Sequence, residues 1–299
     1  MKLALEPIPY YWPRESVFAF YRAVALSAVD VVYLGETVCS RRHELRLPDW
    51  LDLAHTLAAA GKEVVLSTQA LIESESDLKA LRRITGNGRF LVEANDMGAV
   101  RLLEGKGPFV AGSHLNVYNL QTLELLRALG ARRWVAPVEM PRSALAGMMQ
   151  SLPEGVETEV FVYGRLPLAL SARCFSARRF NLQKDDCQFR CLDHPDGLTL
   201  RTREGQPFLV LNGVQTQSAK VCNLVRELPE MAWLGVDIVR ISPQSAHIAE
   251  IAALVKRVLL DPAEVVTVAA QLNALTAGGT CNGFWHGSAG IEQVLAHSH

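Results

Sequence analysis

Six cysteines are spread along the 299-residue chain, and three of them, Cys174, Cys187 and Cys191, fall within the stretch CFSARRFNLQKDDCQFRC. Thiolates gathered this closely are soft ligands, and their natural chemistry is to hold a metal ion or a cluster. Such centres usually take four ligands, so a fourth must come from elsewhere. Structural zinc sites tend to show two short cysteine pairs. Here only Cys187 and Cys191 are close, with three residues between them. Four thiolates suit an iron–sulfur cluster or a structural zinc, and the spacing leaves both open. Arg173, Arg178, Arg179, Lys184 and Arg190 stand in or beside the same stretch, where they could offset the negative charge of a thiolate-ligated centre. The plainer reading makes the cysteines small buried hydrophobes and the basic residues an ordinary solvated face.

A second group of reactive types follows the apolar runs. Glu6, Glu36, Gln69, Glu93, Asn95, Ser113, His114, Asn116, Glu139, Tyr163, Arg165, Ser242 and Gln244 all lie at or just past the end of such a run. Carboxylates, amides and an arginine ringed around one opening would bind a small, polar, anionic molecule. His114, Glu93, Glu139 and Arg165 are the candidates for catalytic roles, with His114 as a general acid or base. Taken singly, a polar residue at a strand end often only caps the next helix. No G-x-S-x-G elbow, H-E-x-x-H pair or Walker A loop is present, and the glycines of GKGPF and TAGGTCNG lack a strand–turn–helix dinucleotide setting.

These residues need elements to position them. Short runs rich in Val, Ile and Leu predict strands near residues 2–6, 30–35, 63–68, 89–94, 108–113, 133–138, 157–163 and 236–241, with helix-period segments between them. Eight β–α units predict a (β/α)8 TIM-like barrel, with a doubly wound sheet as the alternative. A cysteine-rich insertion follows strand seven, and then a hairpin in GLTLRTREGQPFLVLNG. The next stretch, SAKVCNLVRELPE, reads as helical and would hold Cys222 on an amphipathic run. The expected organisation is one barrel domain over 1–299, with 264–299 as a C-terminal extension packing back on it and the tail AHSH frayed. In a barrel, all strand C-termini open onto one face. Cys39, just past strand two, then becomes the natural fourth ligand. Cys281, in the extension, is a weaker candidate.

Composition narrows the classes. Hydrophobic residues make up 49% of the chain, enough for a large core. A net charge of −1 and a pI near 6.7 give no bulk attraction for nucleic acid or an anionic membrane. The opening MKLALEPIPYYWPRE does not read as a signal peptide, and no apolar run reaches bilayer length, so the cytoplasm is the expected compartment. Thiols there stay reduced, which favours metal, cluster or catalytic roles over disulfides.

With these elements in place, EVFVYGRLPLALSARCFSARRF followed by CQFRC resembles the central signature of the U32 peptidase family. HLNVYN, APVEM and CNGFWHG are similar to further segments of that family, in the same order along most of the chain. The LEPIPYYW start and GETVCSRRHEL place the resemblance nearest to its ubiquinone-biosynthesis branch. That resemblance implies a [4Fe–4S] cluster on Cys39, Cys174, Cys187 and Cys191. It implies a heterodimer with the related protein UbiU, and a lipid-binding accessory protein, UbiT, in the same pathway. The implied task is O2-independent hydroxylation of the aromatic ring of a ubiquinone precursor, as one part of a hydroxylase complex. Two other readings come with the family: an RNA base hydroxylation factor, and a peptidase built from Ser176, Cys174 and His114. In the peptidase-labelled members a cysteine follows the strand-seven turn, whereas YGRLPLA carries Pro167 there.

Overall fold

The structure is a computed structural model, and it describes residues 1–276 and 278–295. The tail 296–299 lies outside the described residues. In chain order the first half reads β1 (Lys2–Leu5), α1 (Arg14–Ala25), β2 (Val31–Leu34), α2 (Leu47–Ala59), β3 (Glu63–Ser67), α3 (Glu75–Thr85), β4 (Leu91–Ala94), α4 (Met97–Leu103), β5 (Phe109–Ala111), α5 (Leu120–Ala128), β6 (Ala131–Val135) and α6 (Arg142–Met149). The second half reads β7 (Glu157–Leu170), α7 (Phe175–Arg179), β8 (Leu198–Arg201), β9 (Pro207–Asn212), β10 (Gln215–Asn223), α8 (Leu228–Leu234), β11 (Ile238–Ile241), α9 (Ile248–Leu260), α10 (Val265–Ala274) and β12 (Thr280–Cys281).

Strands β1 to β7 pair in sequence order and in parallel, and β11 pairs with both β7 and β1. The sheet therefore closes into an eight-stranded TIM-like barrel, and the doubly wound alternative falls. Side-chain alternation explains why these strands hold together. Leu3, Leu5, Val32, Leu34, Leu66, Val92, Phe109 and Trp134 point outward into one large core beneath the helices. Ala4, Val31, Tyr33, Val65, Val110, Val135 and Ile238 point inward and fill the barrel. Side chains of Ser74, Asp96 and Asn119 cap α3, α4 and α5.

A charged column also runs through the barrel interior. Arg133 bonds Glu157 and Glu63 at the N-terminal end and the Tyr33 hydroxyl at 3.1 Å. Tyr33 donates to Glu159 at 2.5 Å, and Arg240 Nε donates to Glu159 at 2.6 Å. Arg240 also stacks over the Tyr33 ring and faces Glu93 at 2.9 Å.

Two expectations need correction. Strand seven does not stop at 163 but runs on to Leu170 as a long β7. The stretch containing Cys222 is strand β10, not helix; it pairs antiparallel with both the outer part of β7 and β9. Its burial alternates against two neighbours, and that packing overrides the helical period carried by the later LVREL. The hairpin, β8 with β9, forms as expected. The C-terminal extension packs back through α10 against α9, and β12 adds to β10 in parallel.

Candidate functional site

Two neighbouring clusters occupy the C-terminal side of the barrel. The first gathers the thiols. Cys39 sits in the β2–α2 loop, where Glu36 Oε1 accepts the amides of Val38 and Cys39 at 3.0 and 3.1 Å. Gly35 makes this loop possible: its φ is +138°, and a Cβ there would lie 2.6 Å from the Ser67 carbonyl oxygen. Cys174 caps α7, its sulfur accepting the Ala177 amide at 3.4 Å. Ser176 Oγ accepts the Gly213 amide at 3.0 Å, tying this segment to the β9–β10 turn. Gln188 and Phe189, between Cys187 and Cys191, both take left-handed conformations.

The four sulfurs lie close enough for their charges to interact: Cys39 with Cys174, and Cys191 with both Cys174 and Cys187. Val38, Cys39, Cys174 and Cys187 share one apolar cluster. Burial pushes the Cys39 thiol up to about 11 and also raises Cys191. Among the described residues, no three or more His, Cys, Asp or Glu side chains are drawn up tightly enough for a single metal ion.

The counter-charge differs from the expected one. Arg173, Arg178 and Arg179 are exposed, Lys184 pairs with Glu73, and Arg190 faces Asp193 at 3.6 Å. The guanidinium beside the thiols is that of Arg42, 5% exposed, close enough for its charge to act on Cys191 and Cys39. Burial opposes its charge, but Glu36, Cys191 and Cys39 outweigh that and hold it protonated. The Nε atoms of Arg41 and Arg42 are buried without a partner. In kind, this donor set fits an iron–sulfur cluster: four soft ligands, a fixed cation, and spare donors for a negatively charged centre. Cys222 and Cys281 take no part. They lie side by side in register on β10 and β12, so Cys281 does not reach the ring.

The second cluster is the barrel mouth. An outer cavity of about 250 Å³ lies between Ser113, His114, Asn116, Tyr118, Glu139, Gln215 and the outer part of β7. It shares His114, Pro167 and Gln215 with a smaller throat lined by Glu6, Glu93, Asn95, Arg165, Gln217 and Arg240. Glu93 accepts from Ser67 at 2.6 Å and from Asn95 at 3.2 Å. Burial favours its protonated form, but Arg240 and these bonds overcome that and hold it below the usual range. Glu6 goes the other way: burial lifts its carboxyl to about 7 against the pull of Ser242 and Arg240. Burial lowers His114, so its imidazole stays neutral. Arg165 donates to the Asp196 carbonyl at 3.2 Å, and Glu139 is exposed at the rim, 3.4 Å from the Tyr118 hydroxyl. Glu93 Oε1 and Arg240 Nη2 face each other at 2.9 Å, whereas Gln217 Oε1 is buried here without a partner. An unpartnered polar atom beside a cavity can receive a polar ligand.

The ring of strand-end residues is thus only partly assembled. Glu6, Glu93, Asn95, Ser113, His114, Asn116, Glu139 and Arg165 line the mouth. Glu36 serves the Cys39 loop, and Gln69 lies on an outer groove. Tyr163 points away, its hydroxyl 3.0 Å from that of Thr276. Ser176 and Cys174 form no hydrogen bond with His114, so the protease parts do not meet.

A buried amide chain joins the two clusters. Arg42 donates to Asn212 Oδ1 at 2.7 Å, and Asn212 Nδ2 donates to Gln215 Oε1 at 3.2 Å. Gln217 Nε2 donates to the same oxygen at 3.0 Å. Sequence reasoning did not single out Arg42, Asn212, Gln215, Gln217 or Arg240. For Arg240 a signal existed, a charge inside the apolar run VDIVRI. For the amides there is none: Asn212 falls in the expected hairpin, and Gln215 and Gln217 fall between it and the stretch that reads as helix.

The sequence model of Peptidase family U32 matches residues 17–293. Among solved structures, the U32 peptidase Mk0906 is 12% identical, with 82% of this chain and 93% of that one covered and a TM-score of 0.44. The spore cortex-lytic enzyme SleL of Bacillus megaterium QM B1551 is 10% identical, with 85% and 74% covered and a TM-score of 0.41. A dihydrodipicolinate synthase of Agrobacterium tumefaciens str. C58 is 12% identical, with 92% and 81% covered and a TM-score of 0.37.

Proposed function

The chain belongs to peptidase family U32, and from that premise we propose that it is a UbiV-type iron–sulfur subunit, required for O2-independent hydroxylation of the aromatic ring in ubiquinone biosynthesis and acting as a heterodimer with UbiU. The observation that carries this reading is the approach of Cys39, Cys174, Cys187 and Cys191 around a buried Arg42, beside a polar barrel mouth. A [4Fe–4S] cluster held by these four thiolates would supply one-electron chemistry there.

The chain's own residues have separate tasks in this reading. Arg42 offsets charge at the ligand ring, and the Asn212–Gln215–Gln217 amides link that ring to the mouth. Neutral His114 and the Gln215 amide offer hydrogen bonds to a ring substituent in the outer cavity. Glu6 can exchange a proton near neutral pH, since its carboxyl titrates at about 7. Among the described residues no helix is long and apolar enough to cross a membrane. Delivery of a polyprenylated substrate would fall to a partner such as UbiT.

The test is anaerobic co-purification with UbiU, with iron, acid-labile sulfide and electronic spectra measured. About four irons per chain are expected on this reading. Cys187→Ala or Cys191→Ala should abolish the iron and the visible absorption. Colourless protein free of iron and sulfide, or full iron in both variants, would sink the proposal. The RNA reading draws on the exposed Arg173, Arg178 and Arg179. Salt-dependent binding of transfer or ribosomal RNA, lost on replacing those three, would favour it.

A further inference from the structure

Helices α1 and α2 pack together, as do α3 and α4, but α2 and α3 barely touch. Between them lies a groove of about 570 Å³, in the size range of small-ligand sites. Its floor is apolar, formed by Leu45, Leu47, Trp50, Ile72, Leu81 and Ile84. Its rim is basic. Arg46, Lys79 and Arg83 line it and are exposed.

The acids nearby are already engaged. Glu36 faces Arg42, Asp49 pairs with Arg14, Glu75 pairs with Arg82, and Asp77 accepts the amides that open α3. The rim therefore carries three positive charges that form no ion pair among the described residues, with only Asp49, already paired to Arg14, within range of Arg46. An apolar trough edged by cations outside any ion pair complements one chemical class. The geometry points to a binding site for a single-chain anionic amphiphile, its tail along the trough and its carboxylate or phosphate head at Arg46, Lys79 and Arg83.

This site is separate from the barrel mouth. It touches the thiol ring only through the β2–α2 loop, because Glu36, Ser40 and Arg42 form one wall of the groove. A bound chain would press on the loop that carries Cys39. Iron content tests the ligand ring, and amphiphile binding tests the groove, so the two readings can fail independently.

The full-length protein is titrated with cis-parinarate, a fluorescent long-chain carboxylate, and then with competitors. Saturable binding is expected, with displacement by dodecyl phosphate at least tenfold better than by dodecanol, by dodecyltrimethylammonium or by inorganic phosphate. Shortening the alkyl phosphate should weaken displacement by up to about fourfold per methylene. The double variant K79E/R83E should weaken the anionic ligands about tenfold or more at low salt. Ala80→Phe, a change at an exposed lining position, should block the trough. Circular dichroism confirms that each variant is folded. Absence of saturable binding, equal displacement by the cationic amphiphile or by phosphate alone, or unchanged affinity in both variants overturns the proposal.

Discussion

At the scale of single residues, the burial of Glu6 and of Arg42 has direct consequences for stability. Glu6 titrates at about 7, against an ordinary value of 4.5, because burial penalises its charge. The sign follows from the folded form binding its proton more tightly than the unfolded form does. The resulting stability is fully present below about 4.5 and is lost as pH rises through about 7. Glu6→Gln removes that dependence. Relative to the parent, the variant should gain on the order of 3 kcal/mol between pH 4.5 and pH 8, read from urea midpoints. An unchanged difference across that range would refute the assignment. Arg42 holds the Pro9 carbonyl, Asn212 and Glu36 at once. Arg42→Ala leaves the half-buried Glu36 carboxylate without its cation and Asn212 without its donor, at a cost of about 2–3 kcal/mol in the metal-free protein. Arg42→Lys should recover part of this, since it restores the charge without the planar fork. The thiols and most mouth carboxylates could be named from residue types and from the ends of apolar runs. Arg42 could not, because nothing local separates it from the neighbouring Arg41, which reaches out to Asp185 at 3.1 Å.

At the scale of elements, β7 is the part that joins the two clusters. Its first half is barrel wall, paired with β6 and β11, and its second half is a rib paired with β10. Gly164 stands at the change-over with φ +135°, and a Cβ there would come within 2.4 Å of the Ser242 Cβ. Gly164→Ala should therefore cost roughly 2–4 kcal/mol and shift the rib. The denaturant midpoint measures the cost, and accessibility of the four thiols to a maleimide reports the shift. Unchanged values for both would show that the strand tolerates a side chain there. The eight barrel strands were legible because each is a short run of β-branched and leucine residues between polar breaks. The outer half of β7 and all of β10 were not. Both take their conformation from partners distant in the chain, and LPLAL and SAKVC carry no period strong enough to announce it.

At the scale of the whole molecule, the barrel interior is held by charge as well as by packing. The column from Arg133 through Tyr33, Glu159 and Arg240 to Glu93 spans both ends of the barrel. It holds Glu93 in ionised form, while Glu6, outside those hydrogen bonds, keeps its proton into the neutral range. Such columns form because strand alternation aims every second residue into the barrel, so one charge in an apolar run demands an opposite charge on the facing strand. The charges were visible in the sequence, but their pairing needed the closed sheet.

The thiol ring also has a bearing on chain entropy. Cys39 and Cys174 stand roughly 135 residues apart, and the segments that carry them meet through ordinary packing. A group gripped by all four sulfurs would act as a removable cross-link, shutting a loop that takes in barrel strands β3 to β7. Closing a loop of that length restricts the denatured chain by about 5 kcal/mol. Loading with iron and sulfide should therefore raise the melting temperature on the order of 10 °C. Limited proteolysis after metal removal should cut first between Cys174 and Cys191, and a melting temperature indifferent to iron would refute the cross-link. If such a group is bound, its loss would also unfasten the fold and expose the chain to proteolysis.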